Sequence, residues 1–385
     1  MLTCVFTYMW GEQFQINLKF QTGFALRGMM ARVAAVVSNG CDSDPRVLRE
    51  ARWLSDVGHD VEIHAFDRFE NLLEIENVSG IKIIRHRVGK TPYGDKIKTI
   101  IGLRKFRKSV SRAIQDADIV HCHDADTLGV RLPVDAKLIF DMHDLAHTWI
   151  LMAKPKSAVR KIIASWMCSR MLRRAKLASG VVTSSPGFVE WLDERGVQSI
   201  SVENRPTAKE TLPLPNQPVI GYIGKIRELE SFTQLVKALE LINPDKRPKL
   251  FVAGSGVASE KVHKLIKKST VDAEIHGSYT WKELPKLISK ISIMYAMYTS
   301  ERGNIDDGAL PAKMFEAASF GRPTIVNSNT PMAEVCISEN LGVAVEWGNI
   351  SELSEALLST HNMPIKLIID EQNEQKKFLS VIEKI

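Results

Sequence analysis

Late in the chain, the stretch PAKMFEAASFGRP (residues 311–323) sets one carboxylate, Glu316, between Phe315 and an Ala-Ala-Ser run. A helix that only filled a core would carry Leu there. Glu is rarely buried without a partner, so the position reads either as a ligand-binding acid or as a solvated acid on a helix surface. Earlier, His121 and His123 alternate in DIVHCH, so both imidazoles can face one side of a strand. Two imidazoles begin a metal site, but spacing offers no obvious third ligand. The acidic pairs DSD (42–44) and DAD (124–126) have the spacing of a cation-binding D-x-D. Asp44 is better explained as the cap of a helix opening at Pro45, and no metal is assigned. His143 closes the apolar run KLIFDM, where a polar residue at a strand's carboxyl end suits a site.

These residues need a scaffold, and the bulk numbers bound it. The chain has 385 residues, enough for two domains at roughly 100–200 residues each. Its 44% hydrophobic and 25% charged content is that of an ordinary globular protein. The net charge of +6 is too small to argue for nucleic acid, and no nucleic-acid-binding motif is present. Five scattered cysteines, without a C-x-x-C pair, speak against a disulfide framework or zinc knuckle and fit a reducing compartment. No apolar run reaches the length of a membrane span. Residues 1–29 lack the basic start and apolar stretch of a signal peptide and read as an N-terminal extension of unclear status.

From Met30 onward, short β-branched runs alternate with helical patterns. Strands are expected at 33–38, 60–66, 81–87, 118–123, 137–143, 180–185 and 199–204, with a first helix over 45–58. TAKETLPLPNQP (207–218) reads as a linker. The alternation then restarts, with strands expected at 219–224, 249–256, 273–278, 292–299, 323–328 and 342–347. TWKE (280–283) has the form of a capping box. The pattern implies an α/β protein of two doubly wound, Rossmann-like domains, at 30–206 and 207–365, facing each other across a cleft. Residues 366–385 form a terminal helix that can pack back on the first domain. Ligands in such sheets bind at the carboxyl ends of the strands, so the loop SNGCDSD after the first strand faces the cleft.

The segments together resemble the two-domain GT-B glycosyltransferases, in particular the large retaining family 4. SNGCDSDPRVLREARWLSDVGHDVEIHAF, DADIVHCHDADTLGV and LIFDMHDL resemble its acceptor domain. GYIGKIRELESFTQLVKALELI, LFVAGSG and LPAKMFEAASFGRPTIV resemble its donor-nucleotide domain. The resemblance covers nearly the whole chain from Met30 and rests on order and spacing rather than on any one piece.

The resemblance implies a role for each residue singled out. Glu316 would accept both ribose hydroxyls of a nucleotide sugar, a task for an acceptor-only carboxylate. Lys225 stands at the family's phosphate-binding Arg, while the family's Lys is replaced by Glu230; Arg227 and Lys313 are the nearby cations that would stand in. Gly224, which closes the first donor-domain strand, belongs to the same donor set. The family's other glutamate, which touches the donor sugar, is Gly308 here. Asp307 is assigned as its substitute, with the backbone of Gly308, Ala309 and Leu310 as a further sugar contact. His143 matches a histidine of the donor-sugar pocket. Asn39, Gly40, Asp44 and His123 are assigned to the acceptor side.

Two basic segments remain, 96–112 and 154–176, the second without any acid. They suit either an anionic membrane surface or a solvated face above a buried apolar one. The resemblance thus implies a cytoplasmic hexosyltransferase-like enzyme, with a peripheral place on the inner face of a membrane if the basic segments bind lipid. It would take a nucleotide-sugar donor as substrate, need no metal or other cofactor, and act on a glycan, lipid-linked or polysaccharide acceptor. Two other readings stay open: a degenerate GT-B subunit that binds a partner or membrane without catalysis, and a GT-B nucleotide-sugar 2-epimerase.

Overall fold

Runs of valine, isoleucine and alanine that are buried along their length build two sheets, the signature of strands covered on both faces. The computed structural model describes residues 30–42, 44–92, 95–152, 157–299 and 301–385. The expectation for residues 1–29 lies outside these, as do 154–156 at the start of the second basic segment.

The first sheet contains β1 (Arg32–Val37), β2 (Asp60–Phe66), β3 (Ile75–Val78), β4 (Ile81–His86), β5 (Ile119–His123), β6 (Lys137–Met142), β7 (Gly180–Thr183) and β8 (Ile200–Ser201). Their order is β3-β4-β2-β1-β5-β6-β7-β8, parallel except where β3 meets β4. Sequence reading missed β3, a short, half-exposed edge strand with no apolar run. A tight turn through Ser79 and Gly80, both at positive φ, joins it to β4. The strand expected at 199–204 pairs only over Ile200–Ser201, because the Glu203 amide turns away to the Glu374 carboxylate at 2.7 Å.

The second sheet contains β9 (Val219–Ile223), β10 (Lys249–Ala253), β11 (Ala273–Gly277), β12 (Ile293–Ala296), β13 (Thr324–Asn327) and β14 (Gly342–Val345). It is wholly parallel, in the order β11-β10-β9-β12-β13-β14.

Helices cover both sheets. Those between first-sheet strands are α1 (Pro45–Asp56), α2 (Lys96–Ala113), α3 (Ala146–Met152), α4 (Ala158–Ala175) and α5 (Pro186–Asp193). The second sheet has α6 (Glu230–Leu241), α7 (Ser259–Lys268), α8 (Leu284–Ile288), α9 (Ala312–Ser319), α10 (Pro331–Ser338) and α11 (Ile350–Ser359). Asp44 caps α1 by accepting from the Val47 amide, and Thr280 with Glu283 forms the capping box before α8. Strand order reverses beside β1 and beside β9, the switch points where such sheets open a crevice.

Residues 31–385 nevertheless form one compact unit. The terminal helix α12 (Glu371–Ile382) lies on the first sheet, where Phe378 meets Trp53 and His121 with ring centres 5.8 and 5.4 Å apart. The linker is strapped down as well: buried Arg322 donates to the carbonyls of Leu212 and Pro213. Arg205 ties these parts together. It pairs with Glu339 through two nitrogens at 2.7 and 2.6 Å, with Glu203 at 2.8 Å, and lies 4.3 Å over the Phe315 ring.

Arg205 is only 2% exposed, so removing it leaves the buried Glu203 carboxylate without its cation. Arg205→Ala is expected to cost about 3–5 kcal/mol, read as a lowered urea midpoint. A midpoint within error of the parent would show that the hub is dispensable.

Candidate functional site

The first domain's side of the crevice is organised around one buried carboxylate. Asp141 ends β6 and is inaccessible to solvent. It accepts from Arg46 of α1 through Nη2 at 2.6 Å and Nε at 2.8 Å, from His143 Nε2 at 2.7 Å and from His123 Nδ1 at 3.0 Å. Burial alone would raise its pKa, but Arg46 and His143 hold it well below the carboxylate range.

Asp124 takes the other side of His143, accepting from its backbone amide at 3.0 Å and facing Nδ1 at 3.4 Å. Burial disfavours a charged imidazole, yet the two carboxylates outweigh it and push His143 up to about 10. His143 is therefore an imidazolium at neutral pH, with a small part of its side chain exposed. His123 is 1% exposed and supports His143 from below at 3.1 Å, without reaching the crevice.

Glu50, His121, His123 and Asp141 bring one potential ligand atom each within 4.8 Å of one another. Glu50 and Asp141 are the further ligands that spacing did not reveal. The Arg46 guanidinium already sits against both carboxylates, 3.2 Å from Glu50 and 2.6 Å from Asp141. It supplies the positive charge that a metal ion would bring, so the set fits a buried ion-pair network better than a metal centre.

Opposite lies a cavity of about 750 Å³. Gly224 and Lys225 after β9, Gly254 and Ser255 after β10, and Ser278–Lys282 after β11 form one wall, and Asp42, Asp44, Pro45 and Leu48 form the other. Side chains from both domains thus enclose it. Gly254 has φ +137°, and a Cβ there would collide with the Gly224 carbonyl, so only glycine lets the loops after β9 and β10 interlock. Burial raises Tyr279, a lining residue, to about 12, and the charge of Glu316 adds to the shift. Burial pushes Glu316 itself up to about 7, against the pull of Lys313.

Three cations converge next to it without forming an ion pair with an acid among the described residues. Lys313 Nζ lies 3.4 Å from the Tyr222 ring centre, and Arg302 stacks over Tyr298 at 4.4 Å. Arg227 and Arg302 both lie over Trp149 of α3, at 4.8 and 5.4 Å. Burial, then repulsion from Arg302, lowers Lys313 to about 7. Like charges held together on aromatic faces make a receptor for a polyanion. Sequence reading missed Arg302 and Trp149. Arg302 follows a strand's carboxyl end, which was a usable signal; Trp149 had none.

Other sequence assignments fall elsewhere. Asp307 lines a separate cavity of about 560 Å³, with Arg195, Trp191 and Cys168, and does not meet Lys225 or Glu316. Gly308 has φ +115°, and its Cβ would come within 2.6 Å of the Gly187 Cα in α5. The amides of Gly308 and Ala309 are spent on the carbonyls of Ile305 and Asn304, so neither is free for a sugar; Leu310, the next residue, is partly buried. Asn39 is committed to its own loop, donating to Asp44 and accepting from the Cys41 amide, while the Gly40 carbonyl takes Arg85. Glu230, at the phosphate-lysine position, accepts from the Leu229 amide at the start of α6. An acid suits that helix end as a cation would not.

Residues 43–206 match the family model of the glycosyl transferase 4-like domain, and residues 204–377 match that of the glycosyl transferases group 1. No curated protein matches the chain in sequence. Among solved structures, sucrose-phosphate synthase from Thermosynechococcus elongatus is similar at TM-score 0.69 and 15% identity, over 91% of this chain and 94% of that one. HepE from Anabaena, in complex with UDP-glucose, is similar at TM-score 0.66 and 13% identity, over 92% and 100%. TarM from S. aureus, in complex with Fondaparinux, alpha-GlcNAc-glycerol and UDP, is similar at TM-score 0.61 and 12% identity, over 92% and 96%.

Gly308→Glu tests the loop. With a strained φ and no room beside Gly187, the variant is expected to lose about 2–4 kcal/mol, seen as a lowered Tm. An unchanged Tm would mean that the loop can leave α5 freely.

Proposed function

The chain belongs to the GT-B glycosyltransferases, and from that premise we propose that it moves a sugar from a nucleotide-diphosphate donor to a glycan, lipid-linked or polysaccharide acceptor with retention. The observation that carries this reading is the juxtaposition of Glu316 with unpaired Lys313, Arg302 and Arg227 beside a cavity walled by both domains. The cations suit a diphosphate, and the carboxylate suits the ribose diol. Two similar structures hold UDP or UDP-glucose, which makes UDP-sugars the first donors to try.

In this reading Lys225, Arg227, Arg302 and Lys313 gather on the diphosphate and take up the charge that builds as it leaves. The bond from the sugar's anomeric carbon to the phosphate oxygen breaks while the acceptor hydroxyl attacks from the same face. The hydroxyl proton passes to the departing phosphate oxygen, so no protein carboxylate forms a glycosyl intermediate, unlike retaining glycosidases. His143, already protonated, serves as a charged hydrogen-bond donor to the sugar and not as a base. Arg302 takes the part that Glu230 cannot. The reading includes a cytoplasmic location and a peripheral membrane position, supported by exposed apolar residues on α2 and α4. No described helix is long and apolar enough to cross a membrane.

A thermal-shift screen against UDP-, GDP-, ADP- and dTDP-sugars tests the donor. One donor class at about 100 times its Kd should add roughly 2.7 kcal/mol, a few degrees in Tm, and Glu316→Ala should abolish the shift. Silence from every donor would sink the assignment. The pH dependence is a second check. Above about pH 7 the free protein has lost the Lys313 proton, which a bound diphosphate restores; below about pH 7 Glu316 becomes protonated and stops accepting. Donor affinity should therefore peak near neutrality, and calorimetry at pH 8 should show uptake of about one proton, lost in Lys313→Met. A flat affinity profile would count against this pair.

A further inference from the structure

Helices α2 and α4 already have buried inner faces, through Phe106 and Val110 on one and Ala164 and Met171 on the other. They nonetheless carry a second apolar stripe, on the outside. Ile97, Ile100 and Ile101 of α2 are exposed, as are Val159, Ile162, Ile163 and Trp166 of α4, with Ile97 at 71% and Ile162 at 70%. Spacings of three and four residues make each set a continuous line along its helix. Neither helix contains an acid.

Between them runs a groove of about 500 Å³, lined by Arg104, Arg107, Arg170 and Arg174. Their partners leave the charges uncompensated. Arg107 donates to the Asp126 carbonyl at 2.6 Å, Arg174 to the Leu128 carbonyl, and Arg170 lies over Trp166 at 5.7 Å. Asp126 is the one acid in the described lining, and its carboxylate takes the Ser38 hydroxyl at 3.4 Å.

The loop after β5 forms one wall of this groove. Ala125 and Asp126 line it and directly follow Asp124, the partner of His143. Ser38 opens the loop whose Asp42 and Asp44 line the interdomain cavity. The loop that lines the groove is therefore hydrogen-bonded, through Asp126 and Ser38, to the loop that lines the cavity.

We propose that this groove seats the acceptor, and that the acceptor is a lipid carrying a phosphate or diphosphate between its reacting hydroxyl or sugar and its hydrocarbon chain. The phosphate lies among the four arginines, the chain passes out over Ile100, Ile163 and Trp166 into a membrane, and the reacting end points along residues 124–126 toward His143. A basic floor between two apolar stripes complements an amphiphile in that order, whereas a neutral glycan would leave four guanidinium groups and seven exposed apolar side chains without a purpose. This inference rests on the glycosyltransferase reading and names its acceptor class.

The test uses the whole chain with phosphatidylcholine vesicles of three kinds: plain, doped with phosphatidylglycerol, and doped with a polyisoprenyl phosphate at matched charge. Binding is read by co-sedimentation and by the fluorescence of the tryptophans. The polyisoprenyl phosphate vesicles should bind most tightly. The double variant Arg104→Gln with Arg170→Gln should weaken that binding about thirtyfold, roughly five- to sixfold for each arginine near an anionic surface. Trp166→Ala should weaken it with Tm unchanged, since that side chain is 57% exposed. The donor-induced thermal shift should survive in both variants, so a failed donor screen and a failed vesicle test strike different halves of the protein. Equal binding to both charged vesicles, or unaltered binding by the variants, would each overturn the proposal.

Discussion

Asp141 cannot be buried alone, and much of the first domain follows from how its charge is met. An isolated carboxylate in a dry core would cost several kcal/mol. Arg46 answers it from α1, His123 from β5 and His143 from the end of β6. The register of three elements is thereby set at the carboxyl edge of the sheet. The same contact bears on a protonation state, because Asp141 and Asp124, against the cost of burial, favour the His143 imidazolium. Arg46 also donates to the Val202 carbonyl at 2.5 Å and faces the Asn204 side chain at 3.3 Å. One residue further, Arg205 begins the contacts with Glu339, Phe315 and α12. Two ion-pair clusters, one around Asp141 and one around Arg205, are thus joined through the backbone of residues 202–205.

The second domain follows the opposite rule. The three cations near Glu316 form no ion pair among the described residues and are held on the faces of Tyr222, Tyr298 and Trp149. Aromatic faces stabilise a cation modestly and leave its hydrogen-bond donors free for an anion. Burial, and then repulsion within the group, lowers Lys313 and Arg227, which makes the cluster costly when empty and receptive when a polyanion arrives. Trp149 comes from the first domain, so the receptor is complete only when both sheets are in place.

The loop after β12 explains why this chain departs from the family pattern. Residues 301–308 are used for contact between domains: Asn304 donates to Asp144 at 2.6 Å, and Gly308 packs on Gly187. A glutamate at that point has neither the backbone angle nor the space. Arg302, a few residues earlier, faces the cation cluster instead.

Periodicity alone was enough for the architecture. Buried β-branched runs between amphipathic helices allow little but two doubly wound sheets, and β2 falls on the residues expected for it. Asp44, Pro45 and TWKE announced their helix starts because capping is a local matter of one side chain and nearby amides. Glu316 stood out because an acid in a small-residue helix departs from the pattern of a core, but the residues alone left a solvated surface acid equally open, and its assigned role came from the family resemblance. Contacts between residues far apart in the chain were not legible. Glu50 lies about seventy residues from His121 and Arg46 ninety-five from Asp141, so no spacing rule could join them. Burial on the outer stripes of α2 and α4 was equally undecidable, since a buried and an exposed apolar stripe have the same period. Local chemistry is written residue by residue, but charge pairing and exposure belong to the packed whole, and only the tertiary structure decides them.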